Sequence, residues 1–192
     1  MKNTAITALL IMTFLLSACT SPRRHIARIT NQIPIAQKLV EDNEEMFKIL
    51  LEARVRLKQY NSDRHISGDY TDTISRIDIG ISNDLAFGVY VAVPGSNDYR
   101  LHDGTTPDIL THEEEEVIRS VLLNKLEGKC NERRITIEED GIRFRYLNSG
   151  RVNLFIENPA REVPETYNLL SYDYAIKVND DWSIYIFWNM PQ

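Results

Sequence analysis

The feature that most constrains the fold of this chain is the alternation of apolar and polar residues with a period of two. Ile77, Ile79 and Ile81 alternate with polar or small residues, and an equally regular run follows at positions 85–93. A period of two places successive side chains on opposite faces of a β-strand. Because only a short connection separates the two runs, they predict a β-hairpin.

Further runs with strand character fill the C-terminal part of the chain, at residues 134–139, 142–147, 151–157, 172–178 and 182–188. The first three follow one another through short turns, one of them at Asp140 and Gly141, and therefore predict a meander. The last two are also joined by a short turn. Such connections favour antiparallel neighbours, so we expect an antiparallel sheet of about seven strands.

Apolar residues at spacings of three and four predict two helices. The longer helix spans residues 35–60, where Leu39 and Leu50 lie on the same face. We expect this face to pack on the domain core, and helix-mediated dimerisation is the alternative. The second helix begins at Thr111, whose hydroxyl forms a capping box with Glu114 three residues later.

Helices that are separate in sequence from the hairpins indicate an α+β fold, in which the two helices pack on the antiparallel sheet. The chain has 192 residues, of which 43% are hydrophobic and 26% are charged, values that are typical of a folded globular protein. Residues 35–192 are therefore expected to form a single α+β domain.

The charge balance argues against nucleic acid as a partner. The formal net charge is −6, whereas a surface that binds phosphates needs clustered Lys and Arg. In the sequence, the closest approach to such a cluster is Arg23 and Arg24 with Arg28, in a segment predicted to be a tether. These cations are better explained by anionic lipid head groups or by solvation.

An apolar run that begins near Ala5 ends in Leu16, Ser17, Ala18 and Cys19. It follows a short, weakly basic start and has the length of a secretory signal. The run is too short to span a bilayer, since a spanning helix needs about 20 apolar residues. We expect residues 1–18 to be a signal peptide and residues 19–34 to be a flexible tether.

This segment resembles the signal of bacterial lipoproteins, in which these four residues form the lipobox. The resemblance implies that Cys19 carries a diacylglycerol and usually a further acyl chain such as palmitate, with no other cofactor. Several acyl chains at about 0.8 kcal/mol per methylene give a durable membrane anchor. Thr20 rather than Asp after the cysteine resembles the enterobacterial signal for the outer membrane, so a periplasm-facing outer-membrane location is expected.

Acylation of Cys19 leaves Cys130 as the only thiol of the mature chain. An internal disulfide is then impossible, even in an oxidising compartment. A partly buried small residue is the simplest interpretation of Cys130, and an intermolecular disulfide or a reactive thiol is the alternative.

None of the motifs that identify a catalytic or metal site is found in the sequence. A zinc-protease helix needs a second His four residues after His112, where the chain has Glu116. The acidic loop that contains Asp98 and Asp108 lacks the spacing of a calcium loop. A serine-hydrolase elbow and a glycine-rich phosphate loop are also missing. We therefore expect no catalytic residues and no metal.

Two segments carry the residues that we expect to contact a partner. The first is the loop predicted between the hairpin and the second helix, and the second is the aromatic-rich last strand. Tyr is enriched at interaction hot spots, and the strand residues are predicted to face away from the core, either as an exposed patch or as a second packed face of the sheet. The candidates are Tyr99, Arg100, His102, Asp103, Tyr185 and Phe187.

These features favour a lipid-anchored, periplasmic binding protein without catalysis, whose partner is a protein. The preferred hypothesis is an inhibitor or immunity protein that masks an envelope-acting toxin or lytic enzyme, in which an acidic face of this chain steers onto a basic target. The alternative is an assembly factor or adaptor of an envelope machine such as a secretion system. An enzyme that acts on cell-wall or lipid substrates is less favoured, and the sequence does not indicate an oligomeric state.

Overall fold

The computed structural model describes residues 31–68, 73–81, 86–93, 99–101, 109–125, 133–148, 152–160 and 173–188. The chain divides into two compact units, Met1–Ala36 and Gln37–Gln192. The predicted signal peptide and most of the predicted tether lie outside the described residues, so their assignment stays a prediction. In the part of the chain that is described, no helix is long and apolar enough to cross a membrane.

The described strands form one antiparallel sheet, which confirms the predicted α+β class. They are β1 (Arg76–Ile81), β2 (Phe87–Ala92), β3 (Tyr99–Leu101), β4 (Arg134–Ile137), β5 (Ile142–Asn148), β6 (Val152–Asn158), β7 (Asp173–Lys177) and β8 (Ser183–Trp188). Their order across the sheet is β3-β2-β1-β4-β5-β6-β8-β7. The predicted hairpin is β1 with β2, the predicted meander is β4 to β6, and the predicted final pair is β7 with β8.

The described sheet has one strand more than the sequence pattern indicated. Tyr99, Arg100 and Leu101 were expected to lie in a loop, but they form β3 and pair with the outer edge of β2. Three residues are too few to show an alternating pattern, and they gain strand geometry from backbone pairing with β2. The expectation of a loop at these positions was therefore wrong.

The helices of the described residues are α1 (Ile33–Asp42), α2 (Glu44–Ser67) and α3 (His112–Ser120), the last of which continues into a π-helical turn, Val121–Lys125. The predicted helix at residues 35–60 is thus two helices. At the break, the Asn43 side-chain Nδ2 donates to the Leu39 carbonyl at 2.8 Å, in competition with a backbone helical bond. Helix α2 also extends past the predicted end and finishes at Gly68, whose φ of 78° is the left-handed conformation typical of a glycine C-cap.

One face of the sheet forms the core together with helix α2. The buried side chains of α2 include Met46, Leu50 and Leu57, and the helix packs against β4 and β5. The Phe47 ring meets the buried Trp182 ring edge-on, with centroids 4.9 Å apart. Edge-to-face contact is a favoured aromatic geometry, and it holds the helix over the C-terminal hairpin as well.

Two polar side chains of α2 fasten the helix to the sheet. Arg54 donates to the carbonyl oxygens of Glu139 and Asp140, at 3.1 and 2.8 Å, and to Asn158 Oδ1 at 2.6 Å. The buried Asn61 accepts from the Ile74 N–H and donates to the Ile74 carbonyl, both at 2.8 Å. These contacts fix the β4–β5 turn and the entry to β1.

The predicted capping box at the start of α3 is confirmed. The Glu114 N–H donates to the Thr111 hydroxyl, and the Glu114 carboxylate accepts from the Thr111 N–H at 2.8 Å. Arg56 of α2 also donates to both oxygens of that carboxylate at 2.8 Å. The acidic run therefore starts a helix, and Glu114 anchors that helix to α2.

Candidate functional site

The sheet face opposite the core is polar, and the alternation of β4 and β5 is the reason. Ile135, Ile137, Ile142 and Phe144 are buried in the core. The residues between them must point to the other face. We call this second face the open face, and its residues on β4 and β5 are Arg134, Thr136, Arg143 and Arg145.

A pocket of about 500 Å³ lies on the open face. It extends across β1, β4, β5 and β6 and ends at the β4–β5 turn. Charged groups dominate its lining, which includes four arginines and four carboxylates, Arg76, Arg134, Arg143, Arg145, Asp78, Glu138, Asp140 and Glu157.

Asp78 is the buried centre of the first ion-pair group in this pocket. Its side chain is only 5% exposed. Arg134 approaches both of its oxygens, with Nε 3.3 Å from Oδ1 and Nη2 3.0 Å from Oδ2. Arg76 Nε lies 2.9 Å from Oδ2, and the Thr136 hydroxyl donates to Oδ1 at 2.8 Å. One carboxylate thus forms ion pairs with two guanidinium groups, and Arg134 is the one that approaches both of its oxygens.

Glu157 has the same role for Arg143. The two residues face each other in β5 and β6, and Arg143 Nε donates to Glu157 Oε1 at 2.7 Å. The Glu157 side chain is buried, whereas that of Arg143 is 53% exposed. The carboxylate therefore holds the inner edge of the guanidinium while the rest of the group reaches solvent.

Four residues form a row across four neighbouring strands of the open face. Register pairs Arg134 with Arg145, Arg145 with Phe155, and Phe155 with Tyr185. The Phe155 and Tyr185 rings are stacked, with centroids 6.3 Å apart and planes inclined by 22°. The guanidinium of Arg145 lies 5.9 Å from the Phe155 centroid, within cation–π range. We call this set the arginine–aromatic row.

The pocket is electrically polarised along β4 and β5. The exposed Glu138 and Asp140 belong to the turn between the two strands, whereas Arg134 and Arg145 lie at the opposite end of the β4–β5 pairing. Positive charge is thus concentrated beside the arginine–aromatic row, and negative charge beside the turn.

The chemistry available in this pocket is recognition of anionic groups. Guanidinium donors form paired hydrogen bonds with carboxylates or phosphates. The two buried carboxylates are both engaged by arginines, so their evident role is to position those arginines. In the described chain, no group of three or more His, Cys, Asp or Glu side chains is arranged to hold a metal ion.

The predicted contact residues lie in different parts of the sheet. Tyr185 belongs to the arginine–aromatic row and is partly exposed. Phe187 lies two residues further along β8, opposite Asn153 of β6. Tyr99 and Arg100 lie in β3 at the edge of the sheet, and four strands separate β3 from β6.

The other predicted site residues lie outside the described residues. They are His102, Asp103, the lipidation candidate Cys19 and the remaining thiol, Cys130. Their proposed roles stay predictions, and the predicted loop site is not assembled by the part of the chain that is described.

Sequence reasoning missed the arginines of the open face. In the linear sequence, clustered cations were identified only in the predicted tether. The signal was present in the strand pattern, because Arg134, Arg143 and Arg145 all occupy the polar phase of adjacent predicted strands. Placing them together required the strand register, and Arg76 required the pairing of β1 with β4 as well.

A second pocket, of about 550 Å³, lies where α1 meets α2. Its lining includes five carboxylate side chains, Glu41, Asp42, Glu44, Glu45 and Glu116. This acidic pocket is formed by helix residues, and the arginine pocket is formed by strands. The net negative charge of the chain is therefore unevenly distributed between its surfaces.

Comparison with protein-family models, with curated proteins and with solved structures finds no match to this chain.

Proposed function

We propose that this chain is a lipid-anchored binding protein of the bacterial envelope that recognises a protein partner through the open face of its sheet. The observation that carries this proposal is the preorganised arginine pocket beside two stacked aromatic side chains. Arg and Tyr are the residue types most enriched, with Trp, at protein-interaction hot spots. The lipobox resemblance supplies the envelope location.

The preferred role is that of an inhibitor or immunity protein. Enzymes that cleave glycosidic bonds generally depend on a pair of carboxylates, and a surface rich in arginine donors is complementary to such acidic groups. An open sheet face that is polar rather than apolar also suits a partner that exists separately in solution. The alternative role, an adaptor of an envelope machine, uses the same surface with a different partner.

Capture of partners tests the role. The full chain, tagged at its C-terminus, is extracted from envelopes in mild detergent, and proteins that co-purify are identified by mass spectrometry. The proposal expects one stoichiometric partner whose lytic or toxic activity falls when the purified chain is added. Several structural envelope proteins would instead establish the adaptor role, and turnover of cell-wall or lipid material by the chain alone would overturn a non-catalytic role.

Acylation tests the location separately. The proposal expects wild-type chain in the membrane fraction, with a mass increase corresponding to acyl groups, and a Cys19→Ser variant that lacks both properties. A Cys130→Ser variant is the matched control and retains both. Equal fractionation of wild type and Cys19→Ser would contradict lipid anchoring.

A further inference from the structure

We infer that the arginine pocket of the open face binds carboxylate side chains of an acidic segment of a partner protein. Arg134 and Arg145 are the recognition residues, while Asp78 positions Arg134 and Phe155 positions Arg145. This inference rests on the proposed binding function and adds the chemistry of the partner.

The first argument is preorganisation. Arg134 is oriented by Asp78 through two nitrogen–oxygen contacts of 3.3 and 3.0 Å. Arg145 lies over the Phe155 ring, which is itself stacked on Tyr185. An arginine normally loses much rotamer freedom on binding, so side chains that are already held bind at lower entropic cost.

The second argument is accessibility. The Arg134 side chain is 45% exposed although it contacts a carboxylate that is only 5% exposed. Asp78 is therefore beneath the guanidinium, on the protein side, and part of the guanidinium faces solvent. A guanidinium has five N–H donors in a planar fork, so it can bind more than one acceptor group at once.

The third argument is charge complementarity. The arginine end of the pocket attracts an anion, whereas Glu138 and Asp140 at the turn repel one. A short segment with one or two carboxylates placed at the arginine end satisfies this polarity.

The fourth argument is the continuity of the pocket with the arginine–aromatic row. Tyr185 is partly exposed beside Phe155. An aromatic ring next to paired arginines offers a peptide both an apolar contact and charged donors, the combination that dominates interface energetics. This favours a protein segment as the occupant.

Two peptides test the inference on the purified full chain. The probes are an acetylated and amidated hexaglutamate and the corresponding hexaglutamine, titrated while amide cross-peaks are followed by NMR. The expected result is saturable movement of β4 and β5 resonances with hexaglutamate only. Binding is expected to weaken at least about tenfold in the double variant R134A/R145A, and by a smaller factor in R134K/R145K, which keeps the charge but loses the fork.

Several outcomes would overturn the inference. These are equal binding of the two peptides, unchanged hexaglutamate affinity in R134A/R145A, and a single-stranded oligonucleotide that binds the same residues more tightly than the peptide. If the chain self-associates and this association is lost in R134A/R145A, the open face binds the acidic helix pocket of a second copy and not a partner protein. Thermal melting verifies that the variants fold, and R134K/R145K provides the test if R134A/R145A does not.

The peptide test and the capture test fail independently. Peptide binding that depends on Arg134 and Arg145, without any captured protein, would support the pocket chemistry and contradict the proposed function. Capture of a partner whose affinity is unchanged in R134A/R145A would support the function and contradict this assignment of its chemistry.

Discussion

Arg134 and Arg145 lie directly opposite each other in the neighbouring strands β4 and β5. Residues in such a position have Cα atoms about 4.5–5.5 Å apart, and like charges there are destabilising. The chain keeps these two like charges in register on a surface where most polar residues would be tolerated, and Asp78 pairs with one of them. Local violations of this kind are expected at functional sites, which is why the pair is central to our account.

Reversal of one charge in this pair should separate stability from binding. In Arg145→Glu the carboxylate faces Arg134, and the gain from an opposite-charge pair offsets the lost contact with Phe155. We expect the free energy of unfolding to change by less than about 1 kcal/mol, while hexaglutamate binding is abolished. Urea unfolding and the peptide titration measure the two quantities.

The matched control is Lys58→Glu, which makes the same change in net charge at an exposed position of α2. It should bind hexaglutamate as the wild type does. If the free energy of unfolding of Arg145→Glu falls by more than about 2 kcal/mol, Arg145 stabilises the fold through its packing. This result would contradict the binding role assigned to it.

Asp78 should be important for both stability and binding. Asp78→Asn keeps the shape but removes the charge that two arginines contact. Because the arginines are partly exposed, we expect the free energy of unfolding to fall by about 2 kcal/mol. This is below the roughly 3–5 kcal/mol that is lost when a fully buried pair is broken. Equilibrium unfolding in urea measures this loss.

Asp140→Asn is the control for that substitution, since Asp140 lines the same pocket but its side chain is exposed. It should change stability by less than about 0.5 kcal/mol. Equal effects of the two substitutions would contradict the role of Asp78 as the centre that orients Arg76 and Arg134.

Asn61 should stabilise the entry to β1. In Asn61→Ala the N–H and carbonyl of Ile74 both lose their side-chain partner in a buried location. Unsatisfied buried groups cost about 1–3 kcal/mol, so we expect a loss in that range. The control is Ser62→Ala, at the neighbouring exposed position, which should leave the stability of the fold unchanged. Similar melting temperatures for both variants would exclude this role of Asn61.

The strand pattern predicted most of the sheet, while the arginine site depended on information that one sequence does not contain. Alternation correctly identified β1, β4 and β5 and their buried isoleucines, because each run reports its own two faces. The adjacency of β1 and β4 joins residues that are far apart in the sequence, 56 positions in the case of Asp78 and Arg134. No local pattern encodes that pairing, so Asp78 and its arginines could not be brought together in advance.

Local competition explains the errors in the helices. The predicted stripe includes the polar Asn43, whose side chain donates to the Leu39 carbonyl where α1 ends and α2 begins. The segment after Tyr60 is polar because much of it faces solvent, yet it stays helical up to Ser67. Polarity alone did not predict exposure in this segment, since Asn61 is polar but buried.

The Thr111 cap should stabilise α3. Thr111→Ala removes the hydroxyl that accepts from the Glu114 N–H, at a cost of about 1 kcal/mol. Ser120→Ala, at the other end of the same helix, is an exposed control and should have little effect. Thermal unfolding compares the two, and equal melting temperatures would contradict the capping role.

The same cap predicts a pH effect. The backbone N–H of Glu113 and, secondarily, the Thr111 hydroxyl lower the pKa of the Glu113 carboxyl from its ordinary value. Since the folded pKa lies below the unfolded one, the stabilisation is present above the unfolded pKa and is lost as pH falls through the folded value. NMR titration should show the Glu113 pKa rising toward its ordinary value in Thr111→Ala, and an unchanged pKa would contradict this contribution.

The most direct test of the open face as the binding surface is parallel capture from envelope extracts with three full-length chains. These are the wild type, the charge-reversal variant R134E/R145E, and K38E/K58E, which makes the same charge change at exposed helix positions. Our account predicts that the partner is recovered with wild type and K38E/K58E and is lost with R134E/R145E. Recovery of the partner with all three chains would contradict it.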